Sequence, residues 1–282
     1  MGKIKLRKFL NDSLYNKYQQ GHGKNKHKGV HNETPYIHSD STFKTYKAQC
    51  SHFCDFCYER GLKSPTEAKN AVPDYVEYMK QQGKSAWTIY TAVSAIAKAY
   101  GCSTVDLGAD VPKRERAAVQ RSRQNAIRDK HFSEAHNQSV IEFCRSTGLR
   151  RRELEALHGT DLIRSGGKLY IHVRNGKGGK ERNVEVINNV KLVEKLMVQA
   201  SSGLVFGKIH SGMDIHHYRS IYACDYYRQH AREIKDIPKE DRYVCRKDKK
   251  GIVYDKKAML STSKMLGHNR IDVIANSYLH NL

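Results

Sequence analysis

No apolar run in this chain approaches the roughly 18 to 20 residues that a membrane-spanning helix requires, although hydrophobic residues make up 39% of it. A membrane protein is not expected. Nor does the start, Met-Gly-Lys-Ile-Lys-Leu-Arg-Lys, lead into an apolar segment with a small-residue cleavage site, so secretion is not expected either. The seven cysteines are odd in number and irregular in spacing, which fits a reducing cytoplasm better than a disulfide framework. Fifteen histidines are scattered without an H-E-x-x-H or a comparable spacing, and no internal repeat stands out. Acidic residues are the other shortage. There are 29 of them against 50 lysines and arginines, a formal net charge of +21. Such an excess points to a polyanionic partner, because each cation that neutralises a phosphate releases condensed counterions. Nucleic acid is the expected partner and a membrane surface is not, since no basic amphipathic helix stands out.

A length of 282 residues permits one or two domains with real cores. Residues 1–35 hold eight lysines and arginines against Asp12 and one glutamate, around the stretch G-H-G-K-N-K-H-K-G. They read as a flexible basic arm, with at most a short helix at Leu6 to Tyr18, ordered only on a partner. From Ser41 the apolar residues Phe43, Tyr46, Cys50, Phe53 and Cys57 step by three or four, as on one helix face. Further helices are expected from Pro73 to about Gln82 and after a Ser85 cap, making residues 36–112 a small all-α unit. Residues 113–130 carry Lys113, Arg114, Arg116, Arg121, Arg123, Arg128 and Lys130 and read as a linker lying along DNA; a solvated charge run is the alternative.

The second unit, 131–282, opens with a helix over F-S-E-A-H-N-Q-S-V-I-E-F-C-R-S. The alternating K-L-Y-I-H-V-R turns at N-G-K-G-G-K and returns as E-R-N-V-E-V-I, a hairpin by pattern and by its glycines. Helices around Lys191 to Ala200 and His216 to Glu233 follow, then a second hairpin at Tyr243 to Tyr254. Cys50, His52, Cys54 and Cys57 invite a zinc reading, but structural sites draw ligands from separated segments. Here Cys50 and Cys57 share a stripe with Phe43 and Phe53, where thiols pack as small hydrophobes. No metal and no other cofactor is expected.

Four segments offer phosphate chemistry in order: T-G-L-R with Arg150, G-K-G with Lys177, H-H-Y-R with His216 and Arg219, and L-G-H with His268, ahead of Tyr278. Together they resemble the signature of the tyrosine recombinases, or phage integrases: Arg, Lys, H-x-x-R, His or Trp, then Tyr. The resemblance spans Thr147 to Tyr278, and the helical unit before it is similar to the family's core-binding domain. It implies a mainly α protein, with an N-terminal helical, SAM-like core-binding domain and a C-terminal α+β integrase-type catalytic domain.

What the resemblance implies for the residues makes chemical sense. Two permanently charged, planar guanidiniums, Arg150 and Arg219, suit the charge that grows on a phosphodiester under attack. Lys177, with Lys180 as its local competitor, would protonate the leaving 5′ oxygen from a flexible turn. His216, one helical turn before Arg219, would exchange a proton with the tyrosine hydroxyl; the two-residue spacing of His217 points it elsewhere. His268 would bind a phosphate oxygen, Glu153 would buttress the site, and Tyr278 would be the nucleophile. Arg151 and Arg152 read as solvated or backbone-contacting. On one straight helix His268 and Tyr278 would stand about 15 Å apart, so the chain must turn between them, at Asn269 and Arg270, with Asp272 capping a short helix. Two features depart from the family pattern: a His-to-Tyr interval one residue longer than usual, and a long Arg219-to-His268 interval that reads as an inserted hairpin near 234–257. Its basic tip, Arg246, Lys247, Lys249 and Lys250, is a candidate for DNA or neighbour-subunit contact. Lys180 and Arg182 join the expected DNA contacts.

The function implied is a site-specific recombinase of a prokaryotic mobile element, acting as a homotetramer on paired duplex sites, with an accessory DNA-bending protein as a possible partner. A type IB topoisomerase and a non-catalytic DNA-binding protein are the alternatives.

Overall fold

The computed structural model describes residues 5–24, 34–115, 132–177, 179–246, 249–279 and 282. The chain divides into two compact units, Met1–Ala118 and Val119–Leu282, each with its own core. Among the described residues no helix is long and apolar enough to cross a membrane.

Five helices form the described part of the first unit: α1 (Leu6–Gly21), α2 (Asp40–Glu59), α3 (Pro65–Asn70), α4 (Val72–Gln81) and α5 (Ala86–Tyr100). Their starts are chemically marked. Ser39 and Ser85 accept the backbone N–H groups of Thr42 and Thr88, and Ser64 and Glu67 form a capping box with Pro65 in the first turn. Cys50, Cys54 and Cys57 lie in the core beside Phe53. Burial pushes the thiols of Cys50 and Cys57 up to about 12, so they pack as neutral hydrophobes.

The first helix corrects the expectation of an arm ordered only on a partner. Leu6, Leu10 and Leu14, spaced by four, are fully buried in the core of this unit. Ser13 Oγ donates to the Ala99 carbonyl at 2.6 Å, and Tyr18 stacks on Phe43 at 4.6 Å between centroids. A stripe of three leucines is narrow, and the lysines on the opposite face outweigh it in composition without displacing it from the core. Residues 25–33 of the expected arm lie outside the described residues. Leu10→Ala is expected to destabilise the protein by about 2–5 kcal/mol, the usual cost of such a cavity. Urea unfolding checks this, and a change below about 0.5 kcal/mol would return the helix to the surface.

In the second unit α6 (Gln138–Thr147) ends at Gly148, and α7 (Arg151–Glu155) follows. A three-stranded antiparallel sheet has the order β1 (Leu162–Ser165), β2 (Lys168–Val173), β3 (Arg182–Glu185). In it Tyr170 pairs with Glu185 and Val173 with Arg182, and Ile171 and Val184 face the core. The β2–β3 hairpin is the expected one; β1 was not expected. Its signal was Gly166-Gly167, both at positive φ, a dipeptide suited to a tight hairpin turn. Helices α8 (Val190–Ala200) and α9 (Ile215–His230) come next, then the short antiparallel pair β4 (Arg242–Val244) and β5 (Val253–Asp255). Asp255 both closes β5 and caps α10 (Lys256–Met265), accepting from the Lys257 N–H. The chain then reaches α11 (Ile271–Ser277). This is the mainly helical architecture with an α+β second unit that the motifs implied.

Candidate active site

Gly148 ends α6 at φ 58, and a Cβ there would fall 2.4 Å from the Tyr222 ring. Only glycine fits the turn that carries the chain into Arg150. Arg150 then opens α7, which sets Glu153 one turn on. The Arg150 N–H and Nη1 donate to the Glu153 carboxylate at 2.9 and 2.8 Å, and Nη2 donates to the Leu266 carbonyl at 2.9 Å. The other side of the same carboxylate receives Arg182 Nη1 and Nη2 at 3.0 and 2.8 Å, while Arg182 Nε donates to the Met265 carbonyl at 2.8 Å. Arg182 was expected on DNA; its guanidinium is instead directed inward and ties β3 to α7 and the end of α10. The reason is its neighbour: a carboxylate as buried as Glu153 must be paired on both oxygens.

Arg219 is almost fully buried on α9. Its Nη1 and Nη2 donate to the carbonyls of Gly148 and Leu266, and its Nε donates to the Tyr278 hydroxyl at 3.2 Å. The same hydroxyl lies 3.2 Å from His268 Nε2. Arg150 Nη2 faces that ring nitrogen at 3.5 Å. A guanidinium only donates, so Nε2 presents its lone pair. The Tyr278 oxygen thus accepts from Arg219 while its proton points at His268.

The turn needed to bring the tyrosine back is present. Gly267, at φ 66, stops α10, the His268 N–H donates to the Ser263 carbonyl at 2.8 Å, and α11 carries the chain to Tyr278. The expected cap is not: Arg270 occupies the cap position without a side-chain bond, and Asp272 sits in the first turn, 3.3 Å from the Arg270 guanidinium.

His216, expected to exchange a proton with the tyrosine hydroxyl, and His268, expected at a phosphate oxygen, both lie against Tyr278. His216 packs edge-on against the Tyr278 ring at 5.4 Å between centroids and is exposed, whereas the histidine that meets the hydroxyl is His268. Lys177 is exposed on the β2–β3 turn, near enough for its charge to act on His268. Lys180 on that turn and Arg246 between β4 and β5 are exposed, as are Lys113 and Arg114 in the first unit, where Arg114 covers the Tyr90 ring at 3.8 Å. Arg116, Arg121, Arg123 and Lys247 lie outside the described residues. Arg151 is backbone-contacting: it donates to the carbonyls of Ile209, His210 and Met213 at 3.3, 3.1 and 2.8 Å, bracing the loop into α9. Sequence reasoning missed the backbone acceptors Gly148 and Leu266 altogether. Among the described residues no three His, Cys, Asp or Glu side chains form a group that could hold a metal ion.

The electrostatics follow from burial. Desolvation first, then the charges of Arg219, Arg150 and Lys177, depress His268 to about 4. Burial lowers Arg219 to about 10, which leaves it a cation at neutral pH. Burial opposes ionisation of Glu153, yet the hydrogen bonds and charge of Arg182, with those of Arg150, hold it at about 2. These two groups separate the acid response into windows. A histidine with a lowered folded pKa makes the unfolded chain bind protons first, so stability falls as pH drops from 6.5 to about 4. Glu153 contributes stability above 4.5 that is lost as pH falls towards 2. His268→Gln is therefore expected to flatten urea-denaturation stability across the upper window and leave the lower one; an unchanged upper slope would remove His268 as its source.

No family model matches the chain. A curated protein of Caldanaerobacter subterraneus subsp. tengcongensis, whose name assigns it provisionally to the tyrosine recombinases, is 25% identical over 154 residues, covering 49% of this chain and 52% of that protein. The chain thus spans about half the length of the curated relative it matches. Among solved structures, the Tn1549 transposon integrase in complex with circular intermediate DNA covers 98% of this chain, and is itself covered over 96% of its length, at 12% identity and a TM-score of 0.51. That likeness is one of fold. The resemblance to the tyrosine recombinases carried by the ordered motifs therefore extends to a curated sequence relative and to the architecture of the chain.

Proposed function

We propose that this protein is a site-specific DNA recombinase that cleaves and rejoins duplex DNA through a 3′-phosphotyrosine. The observation that carries the reading is the Tyr278 hydroxyl, set 3.2 Å from Arg219 Nε and 3.2 Å from His268 Nε2. Arg150 and Arg219 clamp the non-bridging oxygens of the scissile phosphate and stabilise the charge that grows there, the role for which bidentate guanidiniums are suited. His268 takes the tyrosine proton. Its low proton affinity belongs to the anion-free site; a phosphodiester beside Arg150 and Arg219 offsets their charge and makes the imidazole a better base. His216 stands at the rim of the ring, placed to meet the phosphate. As the tyrosyl oxygen bonds to phosphorus, the bond to the 5′ oxygen breaks and Lys177 supplies its proton. The 5′ hydroxyl of the partner strand later gives its proton to Lys177 and attacks the phosphotyrosine, and the released Tyr278 oxygen recovers its proton from His268, so the bond energy is kept without ATP.

The net charge of +21 supplies the general affinity for DNA, with Lys113, Arg114, Lys180 and Arg246 among its contacts. Recombination of two paired sites calls for four such subunits, so a tetramer on DNA completes the reading. The test is a nicked duplex spanning the DNA junction that flanks the gene. Wild-type protein is expected to form a denaturant-resistant adduct whose linkage maps to the peptide containing Tyr278. Absence of the adduct, or a linkage elsewhere, rejects the proposal. Sequence-independent relaxation of a plasmid by the monomer would assign the same chemistry to a topoisomerase.

A further inference from the structure

The main chain just past Tyr278 is held from two directions. From α9, Ser220 Oγ and Cys224 Sγ donate to the Tyr278 carbonyl at 2.9 and 3.4 Å. From the inserted segment, Tyr254 Oη and Lys249 Nζ donate to the next carbonyl, that of Leu279, at 3.0 and 2.7 Å. Leu279 is fully buried and Tyr254 nearly so, and a buried carbonyl requires such partners. The base of the insertion is itself fixed. Arg232 donates to both oxygens of Asp255 at 2.7 Å and to Asp241 at 2.9 Å. The Asp255 N–H donates to the Tyr227 hydroxyl at 2.8 Å, and the Tyr227 ring stands edge-on to Tyr254 at 5.7 Å.

The helix that delivers Tyr278 could not do this alone. α11 has seven residues, too few to be stable by itself, and Tyr278 already lies outside it at φ −126, ψ −46. Where the hydroxyl sits therefore depends on what grips the residues that follow.

We infer that the inserted segment is the anchor of the nucleophile. Tyr254 and Lys249 are positioning residues that, through the Leu279 carbonyl, hold the Tyr278 hydroxyl between Arg219 and His268 of its own chain. The catalytic part of this inference rests on the recombinase reading above; the anchoring part does not. It makes cleavage an act of the subunit that owns both tyrosine and arginine, and it gives the long Arg219-to-His268 interval a use other than DNA contact.

The test uses the full-length protein with Tyr254→Phe, Lys249→Met, the double variant, and Lys249→Arg. Without DNA, backbone amides of Ile271 to Leu279 are expected to exchange about 10-fold faster in the double variant, while those of α6 and β2 keep their rates and so exclude general unfolding. With the nicked duplex at saturation, single-turnover adduct formation is expected to slow about 10- to 100-fold, the scale of a small misplacement of a reacting group. DNA affinity of Tyr254→Phe stays unchanged, and Lys249→Arg recovers most of the rate. Unchanged exchange at Ile271 to Leu279, or an adduct rate in the double variant equal to wild type, overturns the inference. Failure of wild type to form any adduct rejects the recombinase reading alone, and the exchange experiment still decides whether the segment is an anchor.

Discussion

Tyr278→Phe is expected to leave the protein folded and bound to DNA while abolishing the covalent adduct. The ring is only 4% exposed and packs against His216 and His268, and phenylalanine preserves that packing. What it removes is one hydrogen bond accepted from Arg219 and one shared with His268, each worth about 1 kcal/mol net, so urea unfolding shifts little. The rate falls by about a million-fold, the scale of removing a nucleophile from a site that acts as a unit. No neighbouring phenol replaces it. Tyr222, packed beside Gly148, donates its hydroxyl to the Glu185 carbonyl, and burial raises its pKa well above the ordinary value. An adduct persisting in Tyr278→Phe would move the nucleophile elsewhere.

Arg219→Ala carries the second large effect, on rate and on stability together. Single-turnover cleavage is expected to fall about 10³- to 10⁵-fold, the range found for a transition-state arginine in phosphoryl transfer. The Gly148 carbonyl also loses its buried side-chain donor, at a cost of about 1–3 kcal/mol for a group left unsatisfied, while the Leu266 carbonyl keeps the bond from Arg150. Lysine separates the two losses. Its single ammonium keeps the charge but cannot reach both carbonyls and the Tyr278 oxygen, so Arg219→Lys regains part of the stability and little of the rate. In both variants the hydroxyl loses its donor; in the alanine variant His268 also loses the charge that depresses it most, and its titration, followed by NMR, moves up from about 4. A lysine variant cleaving at the wild-type rate would show that charge alone, without the planar fork, suffices.

Much of this site was legible because its side chains announce themselves by order and chemistry. Arg150, Arg219, His268 and Tyr278 are far apart in sequence, and the structure brings all four together. The geometric demand for a turn between His268 and Tyr278 was readable from helix rise alone. The division of labour was not. Whether His216 or His268 meets the hydroxyl depends on where α10 stops, which is set by Gly267 and by the packing of Leu266. Arg182 looked like a DNA contact because an arginine beside a hairpin turn reads as exposed; only the buried carboxylate of Glu153 across the fold draws it in. The same blindness applied to α1. Three leucines at four-residue spacing are a sufficient stripe once α2 and α5 are there to receive them, yet composition weighed the lysines more heavily. Backbone acceptors have no residue identity, so although Gly148 and Leu266 stand inside the T-G-L-R and L-G-H motifs, nothing in those motifs announced their carbonyls as acceptors.

The carbonyl of Leu266 is the common acceptor of Arg150 and Arg219. One peptide oxygen thus fixes the gauge between two cations that begin almost seventy residues apart. Their separation is a property of the main chain at the end of α10 rather than of either side chain. Substitutions around the pair will alter its charge more readily than its spacing, whereas a shift of that single peptide plane will move both cations in concert.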